Sequence, residues 1–136
     1  MREIKFRAQD KVNKKWIYGN LEIPLLTQSK SKHYILGYSY GQYQKHEVES
    51  KTVGQYIGLS DINGMKIYEG DIVRLFVPTD PEMPEYISKV FDYHGAYTVK
   101  CEGMDIYNDH FVMGWIEEYE FEIIGNVHRN PELVKS

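Results

Sequence analysis

Cysteine is almost absent from this chain of 136 residues: Cys101 stands alone and cannot close an internal disulfide. Long apolar runs are missing as well. None approaches the roughly 20 residues that a membrane-crossing helix needs. The first residues, MREIKFRAQDKVNKKW, carry charges where an export signal would be apolar. A lone thiol without an export signal fits a reducing compartment, so a cytoplasmic protein is the expectation. What is not scarce is core material. Hydrophobic residues make up 42% and charged residues 26%, a balance that excludes a mostly disordered chain. A chain of this length buries roughly two thirds of the surface its unfolded form exposes, and folds without disulfide or metal.

The signatures of catalysis and cofactor binding are also missing. His33, His46, His94, His110 and His128 show neither HxxxH nor HExxH spacing, and no CxxC occurs. Asp61-Ile62-Asn63-Gly64 resembles the start of a calcium loop. However, Lys66 stands where the loop requires glycine and Ile72 where it requires the bidentate glutamate, so it reads as a turn. There is no GxSxG, and no GxxxxGK[ST] or GxGxxG to cradle a phosphate. Cys101 has one cation beside it in sequence, Lys100, which is weak support for a reactive thiolate. Glu117, Glu118, Glu120 and Glu122 read as a solvated face rather than an acid–base pair. A non-enzyme with no cofactor and no metal is the expectation.

Charge is uneven along the chain. Residues 1–33 hold eight Lys/Arg against three acids, a net of +5, and the remainder holds eight against seventeen, a net of −9. The basic part could meet nucleic-acid phosphates or the acidic C-terminal part of the same or a neighbouring chain. The total is acidic, at −4, which favours a protein as the counterpart. Tyrosine occurs 12 times. Tyr34, Tyr38, Tyr40 and Tyr43 near Lys30, Lys32 and Lys45 could stack on bases or line a protein interface.

The hydropathy pattern is that of strands. Ile4, Phe6 and Ala8 alternate with Lys5, Arg7 and Gln9, and Trp16–Ile23 is aromatic and β-branched, which predicts a hairpin. Tyr38 and Tyr40 would share one face of an extended segment. His46–Lys51 reads as a polar connection. Asn63-Gly64 and Glu69-Gly70-Asp71 mark turns, and Ile72–Val77 reads as a strand buried on both faces. Pro78, Pro81 and Pro84 place a loop. Tyr86–Tyr93 and Tyr97–Lys100 flank His94-Gly95-Ala96 as another hairpin. Phe111, Val112, Trp115, Ile116 and Tyr119 have helical spacing with Asp109 as N-cap, although Gly114 weakens it. Phe121–Val127 reads as a last strand, and Pro131 opens a terminal turn.

Three stretches resemble the YopX family of phage and prophage proteins: IKFRAQD (Ile4–Asp10), TVGQYIGLSDINGMKIYEGDIV (Thr52–Val73) and IIGNVHRNPEL (Ile123–Leu133). They reach from one end of the chain to the other, and the central one is long. The chain departs from the family at Gln9, where Trp is frequent, and at His128-Arg129, where Tyr-Glu is frequent. The resemblance implies a β-rich C-terminal domain with a small irregular barrel-like sheet, and a homo-oligomer. It brings no catalytic residues.

Together these readings predict a mainly β protein with an N-terminal β-hairpin arm, a small irregular C-terminal β-barrel and one short helix. The arm and a Tyr-rich connection span 1–51, and the YopX-like domain spans 52–136. The expected activity is homo-oligomerisation or binding of a phage or host protein, through Arg2, Lys5 and Arg7 of the arm with Tyr38 and Tyr40. A nucleic-acid-binding accessory protein is the alternative.

Overall fold

The computed structural model describes residues 3–24, 32–39, 41–102, 109–114 and 117–134. The described residues are mainly β, with short 3-10 turns such as Ser50–Thr52 and Pro131–Leu133 and no longer helix among them. The chain divides into two compact units, residues 1–56 and 57–136.

In the first unit, β1 (Phe6–Gln9) and β2 (Trp16–Glu22) form the expected hairpin, with Arg7 opposite Tyr18 and Ala8 opposite Ile17. β3 (His33–Ser39) pairs with β2, and β4 (Gln42–Val48) pairs with β3 along its whole length. The segment His46–Val48, expected as a connection, is therefore the end of a strand. Val48 is 2% exposed and belongs to the core with Ala8 and Ile35. The end of β4 also returns to β1. The Lys11 amide donates to the Glu47 carbonyl at 3.0 Å and the Glu49 amide to the Gln9 carbonyl at 2.9 Å, around a bridge between Asp10 and Val48. The sheet curls around its small core as a result. On the other side of β1, Gly54 and Gln55 of β5 (Gly54–Ser60) pair with Arg7 and Phe6, so Thr52–Tyr56 go with the first unit.

The second unit holds β6 (Lys66–Tyr68), β7 (Asp71–Phe76), β8 (Tyr86–Lys89), β9 (Phe91–Tyr93), β10 (Ala96–Lys100), β11 (His110–Val112) and β12 (Glu120–Asn126). One sheet has the order β12-β7-β8 and another β11-β10-β9. β7 lies between two partners, and Ile72, Val73 and Leu75 are at most 1% exposed, as the unbroken apolar run predicts. The core joins Ile57, Ile67, Val73, Leu75, Val99, Cys101, Phe111 and Phe121. Pro78, Pro81 and Pro84 fall in the strand-free connection between β7 and β8.

Two expectations are corrected here. The sheets do not close into a barrel: each described sheet has an end strand. The helix expected from Asp109 onward is replaced by β11, in register with β10 at Thr98–Val112 and Val99–Phe111. Asp109 (φ +68°) and Gly114 (φ +88°) bracket β11 in the left-handed region, which a right-handed helix cannot use. Phe111 and Met113 both point into the core with the period of a strand. Trp115 and Ile116 lie outside the described residues.

The stretches that carry the family resemblance hold main chain in place. The buried Asp61 carboxylate accepts the amides of Asn63 and Met65 on Oδ1, both at 2.9 Å, and that of Ile123 in β12 on Oδ2 at 3.1 Å. Asp71 accepts the Tyr68 amide at 2.8 Å across the Gly70 turn. β12 shifts register between Ile123 and Gly125, and Asn126 and Asn130 fasten the following turn through four side-chain and main-chain bonds.

Candidate interaction surface

Period-two alternation sorts the first unit into two faces. Ile17, Leu21, Ile35 and Val48 point to the core. Their neighbours in sequence point away, and the register places them side by side. Arg7 lies opposite Tyr18, Asn20 opposite Leu36, Leu36 opposite Lys45, and Tyr38 opposite Tyr43. This outer face carries Tyr18, Tyr34, Tyr38 and Tyr43 with Lys45, and the acids Glu22 and Glu47 on either side of Tyr34.

Two glycines let the strands approach for this. A Cβ on Gly19 would collide with the Leu36 carbonyl, and one on Gly37 would stand 2.9 Å from the Tyr18 carbonyl oxygen. The face is graded. At one side the Arg7 guanidinium lies 4.5 Å from the Trp16 ring centroid and is nearly buried, while Lys5 Nζ is 5.9 Å from the ring of Tyr18. In the middle, Lys45 Nζ sits 4.5 Å from the Tyr34 ring and 3.2 Å from Glu22 Oε1. At the far end Tyr38 and Tyr43 meet edge to face at 5.1 Å, yet remain 66% and 70% exposed. Tyr18 and Leu36 are exposed as well. Tyr18, Tyr38 and Tyr43 thus keep uncovered apolar ring surface.

Three predicted residues, Lys5, Arg7 and Tyr38, therefore share this face. Arg2 and Tyr40 lie outside the described residues. Sequence reasoning did not assign Tyr18 or Leu36 to the surface; the signal available was their place in the alternating pattern of β2 and β3. Two other cations of this unit, Lys11 and Lys14, are bound to acids of the same unit. Lys11 meets Glu47 at 3.2 Å and Lys14 meets Glu49 at 2.6 Å.

At the hairpin turn the Asp10 carboxylate accepts the amides of Val12 and Asn13 at 2.8 and 3.2 Å, and its other oxygen faces His46 Nδ1 at 3.2 Å. Burial pushes this carboxyl up, but the two amides and His46 outweigh it and hold it below its ordinary value. Elsewhere, burial and the charge of Asp109 push the Cys101 thiol up to about 12, so it carries no thiolate at neutral pH. His110 stacks on Tyr93 at 4.0 Å, with His94 against the same ring at 4.3 Å. Among the described residues no three His, Cys, Asp or Glu side chains gather to hold a metal, and no helix is long and apolar enough to cross a membrane.

A family model described as YopX protein matches residues 5–135. The SPbeta prophage-derived uncharacterized protein YopX of Bacillus subtilis (strain 168) is 28% identical over 74 residues, which is 54% of this chain and 54% of that protein. The chain thus spans about half the length of this relative. The crystal structure of yopX from Bacillus subtilis aligns over 100% of this chain and 98% of its own, with a TM-score of 0.62 at 20% identity. That of protein EF1440 from Enterococcus faecalis aligns over 99% of this chain and 100% of its own, with a TM-score of 0.55 at 23% identity. At these identities the likeness is one of fold.

Proposed function

The chain belongs to the YopX family, and on that premise we propose that it is a non-enzymatic phage or prophage protein that works by assembling with a second copy of itself through the outer face of its first unit. One observation carries this reading. Lys5, Arg7, Tyr18, Leu36, Tyr38 and Tyr43 share a single sheet face, on which two tyrosines remain about two thirds exposed. Aromatic residues and Arg are enriched at protein interfaces, where a ring contributes apolar area at low conformational cost. Charge supplies the partner. Residues 1–56 carry ten Lys/Arg against five acids, a net of +5, and residues 57–136 carry six against fifteen, a net of −9. The basic first unit of one copy would complement the acidic part of the next. A phage or host protein with an acidic surface would be met by the same face. The lone buried thiol suits the cytoplasm.

Single-stranded nucleic acid is the second reading, favoured by the exposed Tyr38–Tyr43 pair beside cations. It stands behind because Lys11, Lys14 and Lys45 are tied to Glu47, Glu49 and Glu22 and offer phosphates less charge.

The test is light scattering after size exclusion. Tyr38→Ala with Tyr43→Ala, and separately Lys5→Glu, should lower the assembly mass, because all three side chains reach solvent without holding the core. A variant that keeps the wild-type mass contradicts the face. Added oligonucleotide that raises the mass at low salt, and not at high salt, moves the assignment to nucleic acid.

A further inference from the structure

The second unit leaves a groove of about 730 Å³ between β8 and the end of β10. Pockets that take small molecules span roughly 300–1,000 Å³. The register explains where the groove lies. β9 and β10 pair with Thr98 opposite Phe91. Two residues further in the same register Lys100 falls opposite Lys89, and Glu102 opposite Ile87. The main chains do not pair directly there. The Ser88 hydroxyl accepts the Lys100 amide at 2.9 Å and donates to the Lys89 carbonyl at 3.0 Å. A side chain thus stands where a ladder bond would run, and it holds the strands apart. The groove has Tyr86–Lys89 along one side and Lys100 and Glu102 along the other, and Val127, Pro131, Leu133 and Val134 close it further.

Two features give this groove a chemistry. The first is a pair of like charges. Val90, Val99 and Cys101 point into the core, so by alternation Lys89 and Lys100 point away from it, and both are exposed. Among the described residues no acid forms an ion pair with either. Like charges facing each other across two strands repel, and an anion between them removes that cost. Of the two acids lining the groove, Glu85 is countered by Arg74 at 2.8 Å, which leaves Glu102 alone against two lysines. The second feature is apolar surface beside the cations. Ile87 is 52% exposed and Leu133 39% exposed in the same groove, and the Phe91 ring lies 6.0 Å from Lys89 Nζ.

We propose that this groove binds a small amphipathic anion, with a phosphate or carboxylate head between Lys89 and Lys100 and a flat apolar body along Phe91, Ile87 and Leu133. Glu102, opposite Ile87, is placed to accept a hydroxyl or amino group carried on that body. The site lies wholly within the second unit and does not depend on assembly through the first.

Naphthyl phosphate carries both head and body and serves as the probe. Calorimetry on the wild-type chain should show it binding, with inorganic phosphate and naphthol each weaker by about tenfold or more. Lys89→Gln with Lys100→Gln should weaken naphthyl phosphate by about tenfold or more through the loss of charge-assisted contacts. Ile87→Asp should weaken it as well, by setting a carboxylate against the body. All three side chains are exposed, and unchanged urea midpoints separate lost binding from lost folding. On titration the amide NMR signals of Ile87, Lys89 and Lys100 should shift first. A wild type that does not bind naphthyl phosphate overturns the proposal, as does a double lysine variant that binds it like the wild type. Naphthol binding as tightly as its phosphate also overturns it, because the two cations would then have no part in the site.

Discussion

Asp61 directs both carboxylate oxygens at main-chain amides, two within its own turn and one from β12. It is 7% exposed, and replacing it leaves three part-buried main-chain donors short of this acceptor. Asp61→Ala should cost about 3 kcal/mol of stability, read from the urea midpoint of the second unit. Asp10 does the same work at the first hairpin, and its carboxyl lies below its ordinary value. A carboxyl depressed on folding contributes fully above its unfolded value of about 4, and the contribution is lost as pH falls through the folded value. The stability of the first unit should therefore drop on acidification from about pH 5 to about pH 3, and Asp10→Asn should flatten that dependence in Trp16 fluorescence unfolding. Both aspartates lie inside stretches that carry the family resemblance. Those stretches encode how the main chain turns, which accounts for a sequence likeness that is specific for fold.

At the scale of elements, strands whose local signals agree are the ones the sequence made legible. The β1–β2 hairpin, the Asn63-Gly64 turn, β7, the proline loop and β12 each combine alternation or an apolar run with turn residues at the ends. The failures have a common physical cause. Phe111, Val112 and Tyr119 fit a helical period as well as a strand, and the pairing of β11 with β10 decides between them, a contact remote in sequence. His46–Val48 looks polar, yet Val48 fills the core, because β4 ends against β1. Which face the tyrosines occupy was likewise set by register. That register depends on Gly37: with a Cβ there, β2 and β3 must separate to relieve contact with the Tyr18 carbonyl. Gly37→Ala should cost about 1–3 kcal/mol and reduce amide-exchange protection in β2 and β3 first. Unchanged protection would mean that the sheet yields without cost and that the face is less fixed than described.

For the whole molecule, the decisive property is the split of charge between the two units, +5 and −9. The signs were legible in the sequence, but their use was not: several cations turn out to be held by acids of the same unit, and Lys5 and Arg7 lie against rings. Tyr18, Tyr38 and Tyr43 stay exposed on the first unit, as do Lys15, Lys32 and Lys51. The measurement that bears most directly on this account is the mass of the wild-type chain by size exclusion with light scattering, with and without mixed DNA and RNA fragments. A defined multimer of the 16.0 kDa chain, unchanged by nucleic acid, is the predicted result. A monomer, or a mass that rises with nucleic acid and falls back as salt is added, would contradict it.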